Sequence, residues 1–494
     1  MKELRFAPAA QLRAGFALSL STLYGREVPL YRTLLDTALE VNHRALARHG
    51  ASAERLGKIE RVTAERHGAI RLGTPDELAQ AAQIFAGFGM VPCGFYDLRD
   101  ASPQAVPVVS TAFRPVAREE LAANPFRVFT SLLVPEDRRF FDKDLERRIK
   151  EFLTRRTLFS PDLLTLAMRA EREGGLPVPE GLKYIEAATS AFAVSREPID
   201  LRWYKELALI SEVAADIAGV KSTHINHLTP RVLDIDDLYN SMTARGVKMI
   251  GAIQGPPVWS GPSLLLRQTS FRALNEPRVF RDEHGALRRG ALRVRFGEAE
   301  TRGIAITAAG RNLIDRLSRE HESMKARDCT ATLGSLWDAR LPTTEDGLFD
   351  ADLAFCTFHV QHPKSAWTPA QSSAINSCSL NRMLDESVLT REPIVYEDFL
   401  PRSAAGIFAS NLTDAGTVNL HMEALKRDVS WLEAAIDRRV NDPERLYKQE
   451  SDESLLQALG KLGSVTARCT PTELSSGRNP IAPESGLGTS YGSS

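Results

Sequence analysis

Two stretches of the chain share one pattern: HGAIRLGTPDELAQAAQIFAGFGMVPCG at residues 67–94 and HLTPRVLDIDDLYNSMTARGVKMIG at residues 227–251. Arg71 and Arg231 lie at the same offset from the opening histidine of their copies. The other matching positions are the acidic-leucine segments 76–78 and 236–238, the glycines Gly89, Gly94, Gly246 and Gly251, and the TAFR and TSFR segments 111–114 and 269–272. We interpret this ordered series as an internal duplication, although short matches of this kind also arise by chance.

Each copy predicts a strand, a helix and then further strands. The segment after each opening histidine is strand-like, and the acidic residues that follow suit the first turn of a helix, where the helix dipole favours negative charge. Glycines then mark the return to strands. We therefore predict an α+β fold in which two β-α-β-β-β modules pair their sheets into a cleft, with additional helical regions.

The length of 494 residues exceeds the roughly 250 to 300 residues at which a single core stops growing. The last stretch is rich in Ser, Gly, Pro and Thr and has too few large apolar residues to form a core. We expect a helical region at 1–57, the first module at 58–139, a helical insertion at 140–220, the second module at 221–310, a mixed C-terminal region that closes the active site at 311–469, and a disordered tail at 470–494.

The composition argues against several classes of partner. With 62 basic and 63 acidic residues, the chain has no bulk attraction for nucleic acid or for a membrane surface. No apolar run approaches the roughly 20 residues that cross a bilayer. The five cysteines form no CxxC pair, which suits a reducing compartment and argues against a cysteine-built zinc site. We expect a cytoplasmic protein with neither nucleic-acid nor membrane partners.

Three residues of the two copies have side chains of the kinds that bind metal ions. His67 and Arg71 lie on one face of the first opening strand because side chains alternate along a strand, and His227 opens the second copy. In ALRVRFGEAETRG, which closes the second copy, Glu298 and Arg302 share a face with Glu300. Two histidines and one carboxylate can occupy one face of Fe(II), Mn(II) or Zn(II), and redox chemistry at the open positions would favour iron.

Alternatives remain for most of these positions. A single histidine beside a strand is more often structural than a ligand, and Arg71 can be an ordinary salt-bridge partner. His224 competes with His227 as the second ligand, and Glu300 competes with Glu298 as the carboxylate. Two further histidines, for which we predict only a supporting role near the pocket, are His359 and His362.

Four segments resemble the 2-oxoadipate dioxygenase/decarboxylase family, whose members are also called 2-hydroxyglutarate synthases. They are RHGAIRLGTPDEL at 66–78, INHLTPRVLDID at 225–236, FGEAETRG at 296–303 and YEDFLPRSAAGIFASNL at 396–412, and the resemblance runs from the N-terminal helices to about residue 465. The family is related to the vicinal oxygen chelate proteins. Its closing motif, with Glu298 four residues before Arg302, is similar to that of 4-hydroxyphenylpyruvate dioxygenase and hydroxymandelate synthase.

The resemblance implies a function and roles for individual residues. His67, His227 and Glu298 would bind Fe(II), and Arg71 would bind a carboxylate of the substrate. The segment around Arg402 and Ser403 would close over the substrate, with Arg402 standing where the family has a small apolar residue. The implied reaction converts the 2-oxo dicarboxylic acid 2-oxoadipate and O2 to 2-hydroxyglutarate and CO2, a step of lysine catabolism.

Two other functions are compatible with parts of the pattern. The same fold and ligands also suit a non-redox Zn(II) or Mn(II) lyase or isomerase of the glyoxalase type, because a fold does not fix a reaction. A non-catalytic ligand-binding protein, in which His67 is merely structural, belongs to a different class. Oxygen consumption would distinguish the dioxygenase from the non-redox lyase or isomerase. The absence of stoichiometric metal would indicate the ligand-binding protein.

Overall fold

A computed structural model of the chain describes residues 5–100, 105–326, 330–361, 367–377, 379–400 and 424–462, together with Asn411 and Met422. The described chain divides into two compact units. The first contains the residues up to Pro256, Leu265–Arg302 and Glu397–Leu446. The second contains Pro257–Leu264, Gly303–Tyr396 and the residues from Tyr447 onward. The segment boundaries expected from the sequence stay predictions, and the expected tail at 470–494 lies outside the described residues.

Fourteen strands occur among the described residues. They are β1 (Phe6–Pro8), β2 (Arg66–Leu72), β3 (Val91–Asp97), β4 (Val108–Arg114), β5 (Arg127–Leu133), β6 (Gly175–Pro177), β7 (Ile199–Asp200), β8 (His227–Pro230), β9 (Leu266–Ser270), β10 (Glu276–Arg281), β11 (Leu287–Leu292), β12 (Glu298–Arg302), β13 (Cys356–Val360) and β14 (Leu389–Pro393).

The helices of the first half are α1 (Ala9–Glu27), α2 (Leu30–His49), a 3-10 turn at Gly50–Glu54, α3 (Ile59–Ala64), α4 (Pro75–Gly87), α5 (Arg118–Ala123), α6 (Lys143–Thr154), α7 (Pro161–Glu173), α8 (Val178–Ala191), α9 (Leu201–Ala208), α10 (Glu212–Ala218) and α11 (Ile235–Ala244). Those that follow are α12 (Ala308–Lys325), α13 (Leu333–Arg340), α14 (Glu345–Asp350), α15 (Pro369–Asn376), α16 (Leu380–Asp385), α17 (Val429–Ile436) and α18 (Pro443–Leu462).

The first repeat forms a β-α-β-β-β module made of β2, α4, β3, β4 and β5. Its strands are ordered β3-β4-β5-β2, with β2 and β5 parallel and the other neighbours antiparallel. The second repeat begins with β8, which pairs antiparallel with β2 and so extends the same sheet to five strands. The opening strands of the two repeats are therefore direct neighbours.

The second repeat follows the same course through β8, α11, β9 and β12. A bridge between Met249 and Phe271 adds a short extended segment beside β9, and β9 pairs antiparallel with β12. A parallel bridge between Arg231 and Glu300 connects the end of β8 to β12. The strands β10 and β11 form an antiparallel hairpin inserted between β9 and β12. The predicted α+β class with two paired modules is confirmed.

The two module helices begin and end in the same way, for local reasons. Thr74 caps α4 by accepting a hydrogen bond from the Glu77 backbone N–H, and Asp234 caps α11 through the Asp237 backbone N–H. A glycine in the left-handed region stands two residues after the last residue of each helix, Gly89 with φ +70° and Gly246 with φ +77°. Such a residue satisfies carbonyls at a helix end, and glycine adopts it without steric cost.

The outer face of the module sheet packs on helices. Gly68 of β2 lies so close to Ile225 and Leu228 that an added Cβ would stand 2.7 Å from Ile225 Cδ1. In α1, Phe16 stacks on Phe88 with ring centroids 4.4 Å apart. This apolar packing covers one face of the sheet and leaves the polar side chains of β2 and β8 on the other.

The second compact unit contains the antiparallel pair β13 and β14 together with α12 to α16. Within it, a parallel bridge joins Leu264 to Ile304, and antiparallel bridges join Ile304 to Val395 and Ile306 to Ala354. Across the described parts of both units, no helix has the length and the hydropathy required to span a bilayer.

Replacing Gly246 by Ala tests the turn after α11. Apart from Gly246 and its immediate chain neighbours, no atom of the described residues lies within 4 Å of the position that a Cβ would take, so the expected cost is conformational. We expect the Gly246→Ala variant to lose about 1 kcal/mol of unfolding free energy in denaturant titrations, the usual cost of a left-handed conformation. Gly251→Ala is the matched control, because Gly251 is also open and has no left-handed φ. Equal stability of the two variants would contradict this explanation.

Candidate metal centre

Three buried side chains from three strands meet on the polar face of the sheet. His67 comes from β2, His227 from β8 and Glu298 from β12, and one ligand atom from each lies within 4.8 Å of the others. The Nε2 atoms of His227 and His67 lie 3.1 Å and 3.7 Å from the same oxygen of Glu298. Among the described residues this is the one group of three His, Cys, Asp or Glu side chains placed to hold a metal ion.

The strand register explains why the two histidines meet. In the antiparallel pair of β2 and β8, Ala69 stands opposite His227 and His67 stands opposite Thr229. Opposite residues point to the same face of a sheet, and so do residues two positions apart. His67, Ala69, His227 and Thr229 therefore share one face. Ala69 between the histidines keeps that face open because its side chain is small.

The three ligand atoms fit a divalent ion. A metal–ligand bond of about 2.1 Å places neighbouring ligand atoms about 3 Å apart around an ion, close to the 3.1 Å between His227 Nε2 and the Glu298 carboxylate. The other Glu298 oxygen accepts a hydrogen bond of 2.5 Å from Gln268, which orients the carboxylate. Imidazole with carboxylate suits Fe(II), Mn(II) and Zn(II).

Burial sets the protonation of two of these groups. Burial lowers the pKa of His227 well below its ordinary value, and the positive charges of His67 and Arg71 act in the same direction. Burial also raises the pKa of Glu298, against the opposing effect of His67. Neutral imidazole is the form that binds a metal, and a cation would stabilise the desolvated carboxylate of Glu298.

Glu300 holds the second ring nitrogen of His67. Its carboxylate oxygen lies 2.8 Å from His67 Nδ1, and Arg302 binds the same carboxylate through two hydrogen bonds of 2.8 and 2.9 Å. Burial lowers the pKa of His67, but Glu300 and Glu298 raise it by more. Burial likewise raises the pKa of Glu300, but Arg302 and His67 lower it by more, to about 2. An ionised carboxylate at Nδ1 leaves the Nε2 lone pair for a metal.

Glu300 and Arg302 belong to a larger group of buried charges, here called the buried ion network. Its centre is Glu65, which lies 2.8 Å from Arg127 and 2.9 Å from Arg231. Glu397 pairs with Arg127 at 2.5 Å and with Arg61 at shorter range. The network comprises Arg61, Glu65, Arg127, Arg231, Glu300, Arg302 and Glu397.

Sequence reasoning missed most of this network. The alternation rule placed Glu300 and Arg302 on the face of Glu298, and the repeat singled out Arg231. Glu65 directly precedes β2 and Glu397 follows the second repeat by many residues, so no local pattern connected them. No strand pattern pointed to Glu65 or Glu397, because both lie outside the strands.

Tyr24 of α1 is a second feature that the sequence did not reveal. Its buried hydroxyl lies 2.9 Å from the carbonyl oxygen of Asn226 and 2.7 Å from that of Phe296. Asn226 immediately precedes β8, and Phe296 lies two residues before β12. The Tyr24 side chain therefore binds next to the strands that carry His227 and Glu298.

Aromatic rings line the site as well. Phe399 lies 5.0 Å from the His67 ring, and Phe296 lies 5.1 Å from the His227 ring.

Arg71 lies on the same strand face as His67, and its guanidinium is held by Asp216. The Arg71 Nη1 atom donates a 2.6 Å hydrogen bond to Asp216 Oδ2, which also accepts one of 2.9 Å from Asn226. Burial raises the pKa of Asp216, but His224 and Arg71 lower it by more. Arg71 therefore forms a salt bridge, as one of the alternative interpretations of the sequence predicted. Its partner, Asp216, is buried rather than at the surface.

The competing histidine of the second repeat has a different environment. His224 Nε2 lies 3.2 Å from Asn226 and 3.5 Å from Asp216, and His224 is not part of the metal-ligand group. The structure thus includes His227, and not His224, in the candidate ligand group and places His224 beside the Arg71–Asp216 pair.

Of the other predicted residues, only His359 is among the described residues. His359 is in β13 of the second unit, where its Nε2 lies 2.9 Å from Thr357 and 3.4 Å from Glu392. His362, Arg402 and Ser403 lie outside the described residues.

Comparisons with known proteins agree on one family. The profile described as 2-oxoadipate dioxygenase/decarboxylase matches residues 16–411. A protein of that name from Mycobacterium tuberculosis is 52% identical over 437 residues, covering 88% of this chain and 95% of the relative. A protein of the same name from Pseudomonas putida is 38% identical over 475 residues, covering 93% and 99%.

A solved structure agrees with the sequence relatives. The crystal structure of the hydroxyglutarate synthase of Pseudomonas putida in complex with 2-oxoadipate matches with a TM-score of 0.77 and 35% identity. The match covers 92% of this chain and 99% of that protein. The resemblance found in the sequence is confirmed, and the chain belongs to the 2-oxoadipate dioxygenase/decarboxylase family.

Proposed function

We propose that the protein is an Fe(II)-dependent enzyme that converts 2-oxoadipate and O2 to 2-hydroxyglutarate and CO2. The observation that carries the proposal is the meeting of His67, His227 and Glu298 in a member of a dioxygenase/decarboxylase family. Two imidazoles and one carboxylate on one side of an ion leave other positions for a bidentate 2-oxo acid and for dioxygen. If the substrate is 2-oxoadipate, the reaction serves lysine catabolism.

Iron is the metal that suits the proposed reaction. Mn(II) and Zn(II) fit the same ligands, but Zn(II) has no redox chemistry. Bound Fe(II) would supply a redox-active centre and the coordination positions through which a 2-oxo acid and dioxygen react. The substrate itself would supply the four electrons that reduce dioxygen, so no further reductant is needed. The atoms balance because C1 leaves as CO2, one oxygen atom of O2 enters the new carboxylate and the other becomes the hydroxyl group.

The side chains of this protein hold and orient the reactants. Arg71 is proposed to bind the distal carboxylate of the substrate, because a planar guanidinium fork matches a carboxylate with two hydrogen bonds. Glu300 fixes the ring of His67, and Gln268 fixes the carboxylate of Glu298. Phe399 and Phe296 lie against the two histidine rings and exclude water from that side of the centre.

The ligand assignment and the reaction can be tested in one experiment. The wild type, His227→Ala and His224→Ala are reconstituted anaerobically with Fe(II), and iron content is measured before 2-oxoadipate and air are added. We expect the wild type to consume oxygen and form 2-hydroxyglutarate, His227→Ala to lose both iron and activity, and His224→Ala to retain iron. Tightly bound metal without oxygen uptake in the wild type would indicate a non-redox lyase or isomerase. Wild-type protein that binds no metal would indicate a ligand-binding protein.

Replacing Glu300 by Gln tests the support of His67. An amide cannot supply the negative charge that orients and polarises the imidazole, so we expect iron affinity to fall about 10- to 100-fold in an anaerobic competition with a chelator. The control is Glu392→Gln, which removes a half-exposed carboxylate 3.4 Å from His359, outside the ligand group. Unchanged iron affinity in Glu300→Gln would refute the supporting role.

The role of Arg71 predicts a change in substrate selectivity. We expect Arg71→Lys to lower kcat/KM for 2-oxoadipate about 10- to 100-fold, because an ammonium group cannot reproduce the two-point geometry and misplacement of the chain slows the reaction. For 2-oxohexanoate, which has the same length but no distal carboxylate, kcat/KM should change little. Equal losses for both acids would show that Arg71 does not recognise the distal carboxylate.

A further inference from the structure

Asp216 is a buried carboxylate in a place where neither the helix nor the core favours it. It lies in the last turn of α10 and is 3% exposed. The C-terminal end of a helix carries partial negative charge, which disfavours a carboxylate, and burial of an ion costs more unless it is paired. The energetic reason for Asp216 must therefore be its partners, which are Arg71 at 2.6 Å and Asn226 at 2.9 Å.

The contacts around Asp216 fix the whole of Arg71. Thr223 donates a 2.8 Å hydrogen bond to the backbone carbonyl of Arg71, and the Asn226 backbone N–H donates one of 2.8 Å to the neighbouring carbonyl of Ala69. Asn226 thus binds the backbone of β2 through its main chain and Asp216 through its side chain. The segment 223–226 holds the backbone near Arg71 and the carboxylate that receives its guanidinium.

The same segment ends at a metal ligand, since His227 follows Asn226 directly. Asp216 is therefore hydrogen-bonded to Arg71, which lies on the strand that carries His67. It is also hydrogen-bonded to Asn226, which directly precedes the strand that carries His227. A long arginine side chain loses rotamer freedom when it is ordered, and a contact made before substrate binds removes that cost from the binding step.

We propose that Asp216 is a positioning residue for Arg71 and thereby determines selectivity for 2-oxo acids with a distal carboxylate. The inference rests on the proposed role of Arg71. Asp216 does not touch the substrate in this scheme. It binds Nη1 of Arg71 and fixes the plane of the guanidinium, so that the fork meets the distal carboxylate in one orientation.

A solvent-facing cavity of about 460 Å³ provides the control residue. Asp216, His224 and Glu197 all line this cavity. Glu197 is 63% exposed and lies 3.6 Å from Lys221, so Glu197→Gln removes a carboxylate from the same cavity without touching Arg71. Asp216→Asn keeps the shape of the side chain but removes the charge that holds the guanidinium.

The test compares kcat/KM for 2-oxoadipate and 2-oxohexanoate in iron-loaded wild type, Asp216→Asn and Glu197→Gln. The ratio of the two values should fall about 10- to 100-fold in Asp216→Asn, with iron content unchanged, and should stay at the wild-type value in Glu197→Gln. Anaerobic calorimetry should show the same selective loss in the Kd of 2-oxoadipate. A wild-type ratio in Asp216→Asn, or equal loss for both acids, would overturn the proposal.

Two further variants keep the test decisive. Asp216→Glu retains the charge but moves the carboxylate by one methylene, so it should also lower the ratio even if Asp216→Asn does not fold, and an unchanged ratio would count against positioning. In the Arg71→Lys background, adding Asp216→Asn should lower the ratio no further, because the two residues act as one unit. If Arg71→Lys alone leaves the ratio unchanged, the proposed function of Arg71 has failed. If only the Asp216 variants leave it unchanged, this inference alone has failed.

Discussion

The antiparallel pairing of β2 with β8 is the contact on which the module sheet and the ligand group both depend. It joins the opening strands of the two repeats and sets His67 and His227 on one face, with only Ala69 and Thr229 between them. A shift of one residue in this register would turn one histidine toward the apolar packing on the other face. Ile225 and Leu228 pack closely against Gly68 on that face, so a shift of the register would also disrupt this apolar contact.

The two carboxylates of β12 show how environment separates the roles of like residues. Glu298 and Glu300 are two positions apart on one strand face. Glu298 pairs with no arginine among the described residues, and burial raises its pKa, so a cation would stabilise its ionised form. Glu300 is bound by Arg302 and stays ionised, with a pKa of about 2. Under the proposed assignment, Glu298 is therefore a metal ligand and Glu300 is the partner of a ligand.

Burying the charges of the buried ion network costs free energy, and a contribution to stability does not explain why these charged residues are present. Removing one partner of a buried ion pair typically costs about 3 to 5 kcal/mol, yet replacing the whole group by apolar side chains is often neutral or stabilising. A function other than stability accounts better for a network that ends on the Nδ1 atom of His67. It holds an imidazole with buried charged groups that pair with one another, and Tyr24 holds the backbone beside His227 and Glu298 through two hydrogen bonds.

The sequence by itself determined the two modules, the acidic start of each module helix, the glycines after it, the face shared by Glu298 and Glu300, and a short list of candidate ligands that still contained His224 beside His227. These follow from local periodicity, from turn residues and from comparison of the chain with itself, all of which are read from short segments of the chain. Only the tertiary structure placed His227 rather than His224 beside His67 and Glu298, revealed Glu65 and Glu397 in the network, and gave Arg71 its partner Asp216. The reason is physical: these contacts join residues far apart in the chain, and their existence depends on a strand register and a packing geometry that no local pattern contains.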